Sequence, residues 1–269
     1  PNPITAIDLF AGAMLPGLML VVMFIIFIYF YAKIYPDSCP PIKTTRTRSE
    51  IYFEAFKNVL PPLILILLVL GSILLGVATP TESASVGAAG AAILAFTKGE
   101  LTFKNLKDVS FNTVKLSSFV FVILIGASMF SLVFRGFKGD ELIEHVLTTL
   151  PGGQVGALII VMLAIFFLGF FLDYIEIIFV IVPLVGPVLI ANGADPLWLG
   201  IMISLNLQTS FLTPPFGFSL FFLRGVAPPE IQTKNIYRGV LPYIGIQVLA
   251  LIIVGFIPEI ATWLPRSIF

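Results

Sequence analysis

NLQTSFLTPPFGFSLFFL, residues Asn206–Leu223, is apolar enough to lie in lipid yet carries two adjacent prolines and a glycine at its middle. Pro214 and Pro215 have no amide hydrogen to donate, and each disfavours helical geometry in the residue before it, so a continuous helix must break near Thr213. In hydrocarbon a freed backbone polar group costs several kcal/mol. Such a break is tolerated only where protein buries it or where it lines a hydrated site. The stretch therefore predicts two half-helices that meet where something polar binds.

The rest of the chain has the composition that this reading requires. Of 269 residues, 58% are hydrophobic and only 11% charged, with a mean hydropathy of +1.05. Several apolar runs approach the roughly 20 residues needed to cross a bilayer core, which predicts an all-α polytopic membrane protein. Formal charge balances at zero, so no basic surface recommends nucleic acid as a partner. The single cysteine, Cys39, excludes an intrachain disulfide framework and a thiolate cluster. The lone histidine, His145, lies in an amphipathic segment without a second imidazole and reads as a solvated structural residue. The opening PNPITAIDLF lacks an initiator Met and a basic leader, and is read as the interior of a longer protein.

Spanning helices are expected over Ile7–Ile34, Leu60–Val77 and Leu116–Phe134, with a short third span of small residues over Glu82–Phe96 and a last span over Val240–Phe256. Residues 139–149 read as an amphipathic surface helix. Val155–Ile190 is harder, because it runs apolar for 36 residues apart from Asp173 and Glu176. A straight helix of that length would measure about 54 Å, against a core of about 30 Å. A pair of full spans would need a polar turn, and FLDY offers one acid among large apolar residues. A reentrant hairpin that returns to its own side fits better. Asp195 and Pro196 then open the broken segment as cap and first helical residue.

Loop charge supports the same topology. With the hairpin returning, Lys33, Lys43, Arg46, Arg48, Lys57, Lys98, Lys104, Lys107, Lys115, Arg224, Lys234 and Arg238 share the cytoplasmic side, and only Arg135, Lys138 and Arg266 lie outside. A single crossing by Val155–Ile190 would invert the last three cytoplasmic charges.

Two polar interruptions thus lie at membrane depth, the hairpin tip Gly169–Glu176 and the break Thr209–Gly217. A hairpin and a broken helix meeting near the midplane is how secondary transporters hold ions and solute. Carbonyls at the end of the first half-helix and the Thr213 hydroxyl are hard oxygen donors. With no His or Cys nearby, Na⁺ suits them better than a transition metal. Asp173 is an intramembrane carboxylate, read either as an ion ligand or as the cap of the returning helix; Glu176 lies one turn on along the same face. Glu82, in GVATPTESASVGAAGA (Gly76–Ala91), reads first as a helix cap and second as a lining of the solute path. Asn206, Thr209 and Gly217 complete the candidate solute or ion pathway. Hydrolase, metalloprotease and nucleotide-binding motifs do not occur, so neither an enzyme nor an organic cofactor is expected.

With these motifs assembled, the sequence resembles the large membrane subunit of the tripartite ATP-independent periplasmic (TRAP) transporters. The resemblance rests on GVATPTESASVGAAGA, on LGFFLDYIEIIFVIVPLVGPV, on GADPLWLGIMISLNLQTSFLTPPFGFSLFF and on the opening DLFAGAMLPGLML. It spans essentially the whole chain and corresponds to the C-terminal portion, the second of two inverted repeats. It implies an elevator-type, Na⁺-coupled importer of carboxylate solutes in the bacterial inner membrane, assembled with a small membrane subunit and a periplasmic solute-binding protein. By position, it implies a sodium site of backbone oxygens near Gly169, Ser210 and Phe216 with the Thr213 hydroxyl. Ser210 stands where the family more often has glycine, and Glu176 where it tends to small or apolar residues. Residues 1–153 are expected to be mainly scaffold, 154–223 the mobile hairpin and broken helix, and 224–269 a cytoplasmic loop with the terminal span. The runner-up is an ion-coupled transporter of related hairpin architecture that works without a binding protein. A membrane scaffold is disfavoured, since it has no need of a helix broken at TPPFG.

Overall fold

A computed structural model describes residues 4–40, 47–214, 217–228 and 230–268, and every regular element among them is helical. Among the described residues, five helices are long and apolar enough to cross a membrane: Ala6–Ile34 (α1), Arg48–Leu74 (α2), Phe103–Gly136 (α4), Tyr174–Ala191 and Thr233–Phe256 (α11). Four of them coincide with expected spans but begin earlier. α2 starts at Arg48 and not at Leu60 because Thr47 and Glu50 form a reciprocal cap, Glu50 Oε2 accepting from Thr47 N at 2.9 Å. The expected third span exists as α3, Pro80–Thr97, but is not among the five, because its polar first turn, Pro80, Thr81 and Glu82, and its Ser and Gly residues lower the hydropathy of an 18-residue helix.

The chain forms two compact units, to which α1 and α4 each contribute segments. In the unit comprising Thr5–Ala11 and Ile26–Leu116, α2 packs on α3 through small residues. A Cβ on Gly87 would lie 3.2 Å from Val69 Cγ2, and one on Gly90 would overlap Leu65. Beside them the Ser72 and Ser83 hydroxyls, 2.9 Å apart, satisfy each other, with Ser83 fully buried. Glu82 closes the cap of α3, its Oε2 accepting from Thr79 N and Thr79 Oγ1, both at 2.8 Å.

The other unit holds Gly12–Ile25 and Ser117–Phe269. Its axis is α9, Pro196–Leu212, of whose 17 residues eleven are buried, far more than in any neighbouring helix. Around it lie α6 (Gly153–Leu168), α11, α12 (Glu259–Ile268) and α10 (Phe218–Val226). The core between them is aliphatic, with Ile165, Ile177, Leu189, Val254 and Ala261 wholly buried. Trp198 donates its indole Nε1–H to Val254 O at 2.8 Å, tying the start of α9 to the end of α11. Asp195 caps α9 by accepting from Trp198 N at 2.9 Å through Oδ1 and holds Arg266 of α12 at 2.7 Å through Oδ2. α12, amphipathic and interrupted by Pro265, is an element that the sequence reading does not anticipate.

The ambiguous stretch 155–190 folds as a helical hairpin. α6 ends at Leu168, a turn runs to Asp173, and the return arm comprises α7 (Tyr174–Glu176), a π turn (Ile177–Ile181) and α8 (Val182–Ala191). α8 packs against α6 and against α5 (Gly139–Thr148). At the base, Gly193 (φ +101°) comes so close to the start of α6 that its Cβ would lie 3.5 Å from Gln154 Oε1. The two ends of the hairpin therefore sit together. At 16 and 18 residues, its arms measure roughly 24 and 27 Å.

Candidate ion and solute site

α9 stops where the prolines require. Pro214 offers no amide to Ser210 O, and Thr213 N serves that carbonyl instead at 3.0 Å while Thr213 turns to extended geometry (φ −91°, ψ 129°). Gly217 then brings the chain back, donating its amide to Thr213 O at 3.1 Å, and α10 begins at Phe218. The backbone is tight here. A Cβ on Gly217 would stand 2.9 Å from both Phe211 O and Thr213 O, so two main-chain oxygens converge on this glycine.

The last two turns of α9 are lined with polar side chains that bond inward to the helix itself. Thr209 Oγ1 donates to Leu205 O at 2.8 Å, Ser210 Oγ to Leu207 O at 2.9 Å and Thr213 Oγ1 to Thr209 O at 2.8 Å. With their protons so engaged, these hydroxyls present lone pairs outward. Asn206, 2% exposed, instead reaches across to α6 and donates Nδ2–H to Met162 O at 2.7 Å. Gly169, the C-cap of α6, meets the same helix one turn on: its absent Cβ would fall 2.7 Å from Ser210 Cβ.

Of the sequence-predicted residues, Gly169 and Ser210 are brought into direct contact, and Thr209, Thr213 and Gly217 are linked through main-chain oxygens. Asp173 and Glu176 are half-buried at the hairpin turn. Asp173 acts there as the cap of the return arm, Oδ1 accepting from Tyr174 N at 2.7 Å. Glu82 caps α3 in the other unit. Phe216, with Pro215, lies outside the described residues. Among the described residues no three His, Cys, Asp or Glu side chains gather. The oxygens at the end of α9 are carbonyls and hydroxyls, which are hard donors.

Ser210 and Thr213 share the face of α9 that carries Asn206 and Thr209. The opposite face carries Ser204, Gln208 and Phe211 and borders a cavity of about 440 Å³. Tyr174 of the hairpin, Ser219 of α10 and Gln247 of α11 close it from three sides. The sequence reading misses Gln247. The one signal available is a single amide inside the apolar run IGIQVLALIIVG.

Among the described residues, helices alone, five of them long and apolar enough to cross a membrane, with a hairpin closed at its base and a helix interrupted beside it, define a multi-pass membrane protein. The family model "Tripartite ATP-independent periplasmic transporter, DctM component" matches residues 3–260. The chain belongs to this family, and it is a multi-pass protein of the inner membrane. It is 30% identical to the C4-dicarboxylate TRAP transporter large permease protein DctM of Vibrio cholerae, over 96% of this chain and 60% of that protein. It is 28% identical to the sialic acid TRAP transporter large permease protein SiaM of the same species, over 96% and 59%. Against the ectoine TRAP transporter large permease protein TeaC of Halomonas elongata it is 29% identical, again over 96% and 59%. The chain thus spans about 60% of the length of the curated relatives that it matches.

Proposed function

We propose that this chain works within a complete TRAP transporter that imports an organic carboxylate on a sodium gradient, receiving it from a periplasmic solute-binding protein and working beside a small membrane subunit. The observation that carries the reading is the end of α9. There Phe211 O and Thr213 O converge on Gly217 while the Thr213 hydroxyl directs its lone pairs outward, a set of oxygen ligands suited to Na⁺. Gly169 O and Ser210 O lie where the hairpin touches that helix and belong to the same proposed site, as does Phe216. The relatives named for C4-dicarboxylates and sialic acid support an acidic solute.

In this reading, residues 154–223 form the moving element, 1–153 mainly the scaffold, and 224–269 a cytoplasmic loop and last span. The hairpin is reentrant, and the whole is the second of two inverted repeats that work as an elevator. Asp173 and Glu176 are assigned to the ion or solute path. The test is uptake of labelled organic acids by the complete complex in proteoliposomes, with and without an inward sodium gradient. Uptake that ignores the gradient removes the coupling.

A further inference from the structure

The unit comprising Thr5–Ala11 and Ile26–Leu116 gathers lysines at one end. α2 and α3 run antiparallel: Ser72 meets Ser83, Val69 meets Gly87 and Leu65 meets Gly90, and the same step brings Lys57 level with Lys98. Gly99 (φ +73°) then closes α3, Gly99 N donating to Phe96 O at 3.0 Å and Glu100 N to Ala95 O at 2.9 Å. Asn105 fixes the turn into α4, its amide donating to Thr102 Oγ1 at 3.1 Å and its Nδ2 to Glu100 O at 2.7 Å. Lys104 and Lys107 follow within the first two turns of α4.

α4 is longer than a membrane core requires. Its 34 residues measure about 51 Å against a core of about 30 Å, and its apolar run begins only at Leu116. Residues 103–115 therefore extend beyond the hydrocarbon, and every residue from 101 to 119 is exposed. Lys104, Lys107 and Lys115 share one face of this extension with Phe111, while Leu106 and Val109 take the opposite face. Each helix thus turns from apolar to basic at this end, α2 at Lys57, α3 at Lys98 and α4 at Lys115. Among the described residues none of these five lysines has an ion-pair partner, and they outnumber the acids nearest in the chain, Glu54, Glu100 and Asp108. Phe56, Phe96 and Phe103, all largely exposed, stand among them along the chain. Water gives such phenylalanines nothing to pack on, and hydrocarbon has no place for lysine heads; the headgroup layer accommodates both. A nucleic acid or an acidic protein would match the lysines alone.

We infer that this end of the unit docks on anionic phospholipid headgroups, Lys57, Lys98, Lys104, Lys107 and Lys115 taking lipid phosphate while the three phenylalanines enter the acyl boundary. The inference is independent of the import reading. Each lysine at an anionic membrane surface strengthens binding by about fivefold.

The test replaces exposed Phe103 by the photoreactive p-benzoylphenylalanine in the complete transporter, reconstituted in vesicles of equal parts phosphatidylglycerol and phosphatidylcholine. Mass spectrometry then reads the ratio of the two lipid adducts at that position. At low salt phosphatidylglycerol adducts should exceed phosphatidylcholine adducts by about tenfold or more, and high salt should remove most of the excess. Lys98→Gln, Lys104→Gln and Lys107→Gln together should lower the ratio by about tenfold or more, whereas the three changes to Arg should keep it within about twofold. Lys138→Gln, which removes a lysine already paired with Glu141, should leave it unchanged. Equal adducts in the parent, or an excess that survives the three Gln changes, overturns the assignment. An adduct to another protein chain in place of lipid does the same, since it would make this end a subunit interface. So does an excess abolished by inorganic phosphate but not by chloride at equal ionic strength, the mark of a site for free phosphate.

Discussion

Gly169 and Ser210 interlock: the hydrogen of the glycine faces the serine side chain so closely that a Cβ at 169 would lie 2.7 Å from Ser210 Cβ, well inside van der Waals contact. Ile165 O stands 3.3 Å from the same point, so the new atom has no easy retreat. Gly169→Ala should therefore push the hairpin turn away from α9, at a cost of about 1–3 kcal/mol in thermal unfolding, with loss of transport. Ser210→Gly should restore room, and the double variant should recover most of the stability. A double variant as damaged as Gly169→Ala alone would place the strain elsewhere.

Thr213 donates its proton to Thr209 O, which leaves its oxygen as the group a cation would meet. Thr213→Val keeps the shape and removes that oxygen, and should raise the sodium concentration for half-maximal uptake by about tenfold to a hundredfold, the equivalent of roughly 1.5–3 kcal/mol. Thr213→Ser should stay near the parent. Replacing Pro214 and Pro215 together with Ala should do more harm, because a healed helix withdraws several oxygens at once. The readout is uptake against sodium concentration in proteoliposomes; a sodium dependence unchanged from the parent in both Thr213→Val and the proline pair moves the ion site away from TPPFG.

The closure of Gly193 on Gln154 has a topological corollary. In a Cys39-free background, cysteines placed at 154 and 193 should react alike with a membrane-impermeant reagent added from outside, and one at 233 should be protected. Reaction at 233 with protection at 193 would mean that Tyr174–Ala191 crosses the bilayer alone.

Asp195 serves two partners, the amide of Trp198 and the guanidinium of Arg266. Asp195→Asn preserves the cap and removes the charge, and should lower stability by less than about 1 kcal/mol, an effect that high salt erases because the pair is partly exposed. Asp195→Ala removes the cap as well and should cost about 1 kcal/mol more, at any ionic strength. Thermal unfolding at low and high salt separates the two contributions.

What the sequence reveals here is local chemistry. Pro214 ends a helix for reasons contained within four residues, Thr79 and Glu82 form a cap across three, and the hairpin turn follows from an apolar run too long to be one helix and too apolar to be two with a solvated loop. Other features depend on partners far along the chain. Asn206 is placed correctly on the broken segment, but its bond to Met162 O spans 44 residues and leaves no periodic trace. Gln247 looks like an ordinary polar residue in an apolar span until α9, α10 and the hairpin close round it. The early start of α2 was readable in principle from Thr47 and Glu50, yet it is masked because hydropathy rises only at Leu60. α12 falls below the length at which apolar pattern alone announces a helix.

The bond from Trp198 to Val254 also makes the protein optically legible. The chain has two tryptophans. Trp198 is held in the interior with its indole hydrogen committed, whereas Trp263 on α12 is 59% exposed. Their emission should differ in wavelength and in accessibility to a quencher, so a lipid-soluble or aqueous quencher silences Trp263 first. Of the emission from this chain, the remaining signal belongs to the shaft of the broken helix. A Trp263→Phe variant compared with a Trp198→Phe, Trp263→Phe variant isolates that signal, and its change on adding sodium reports on that helix.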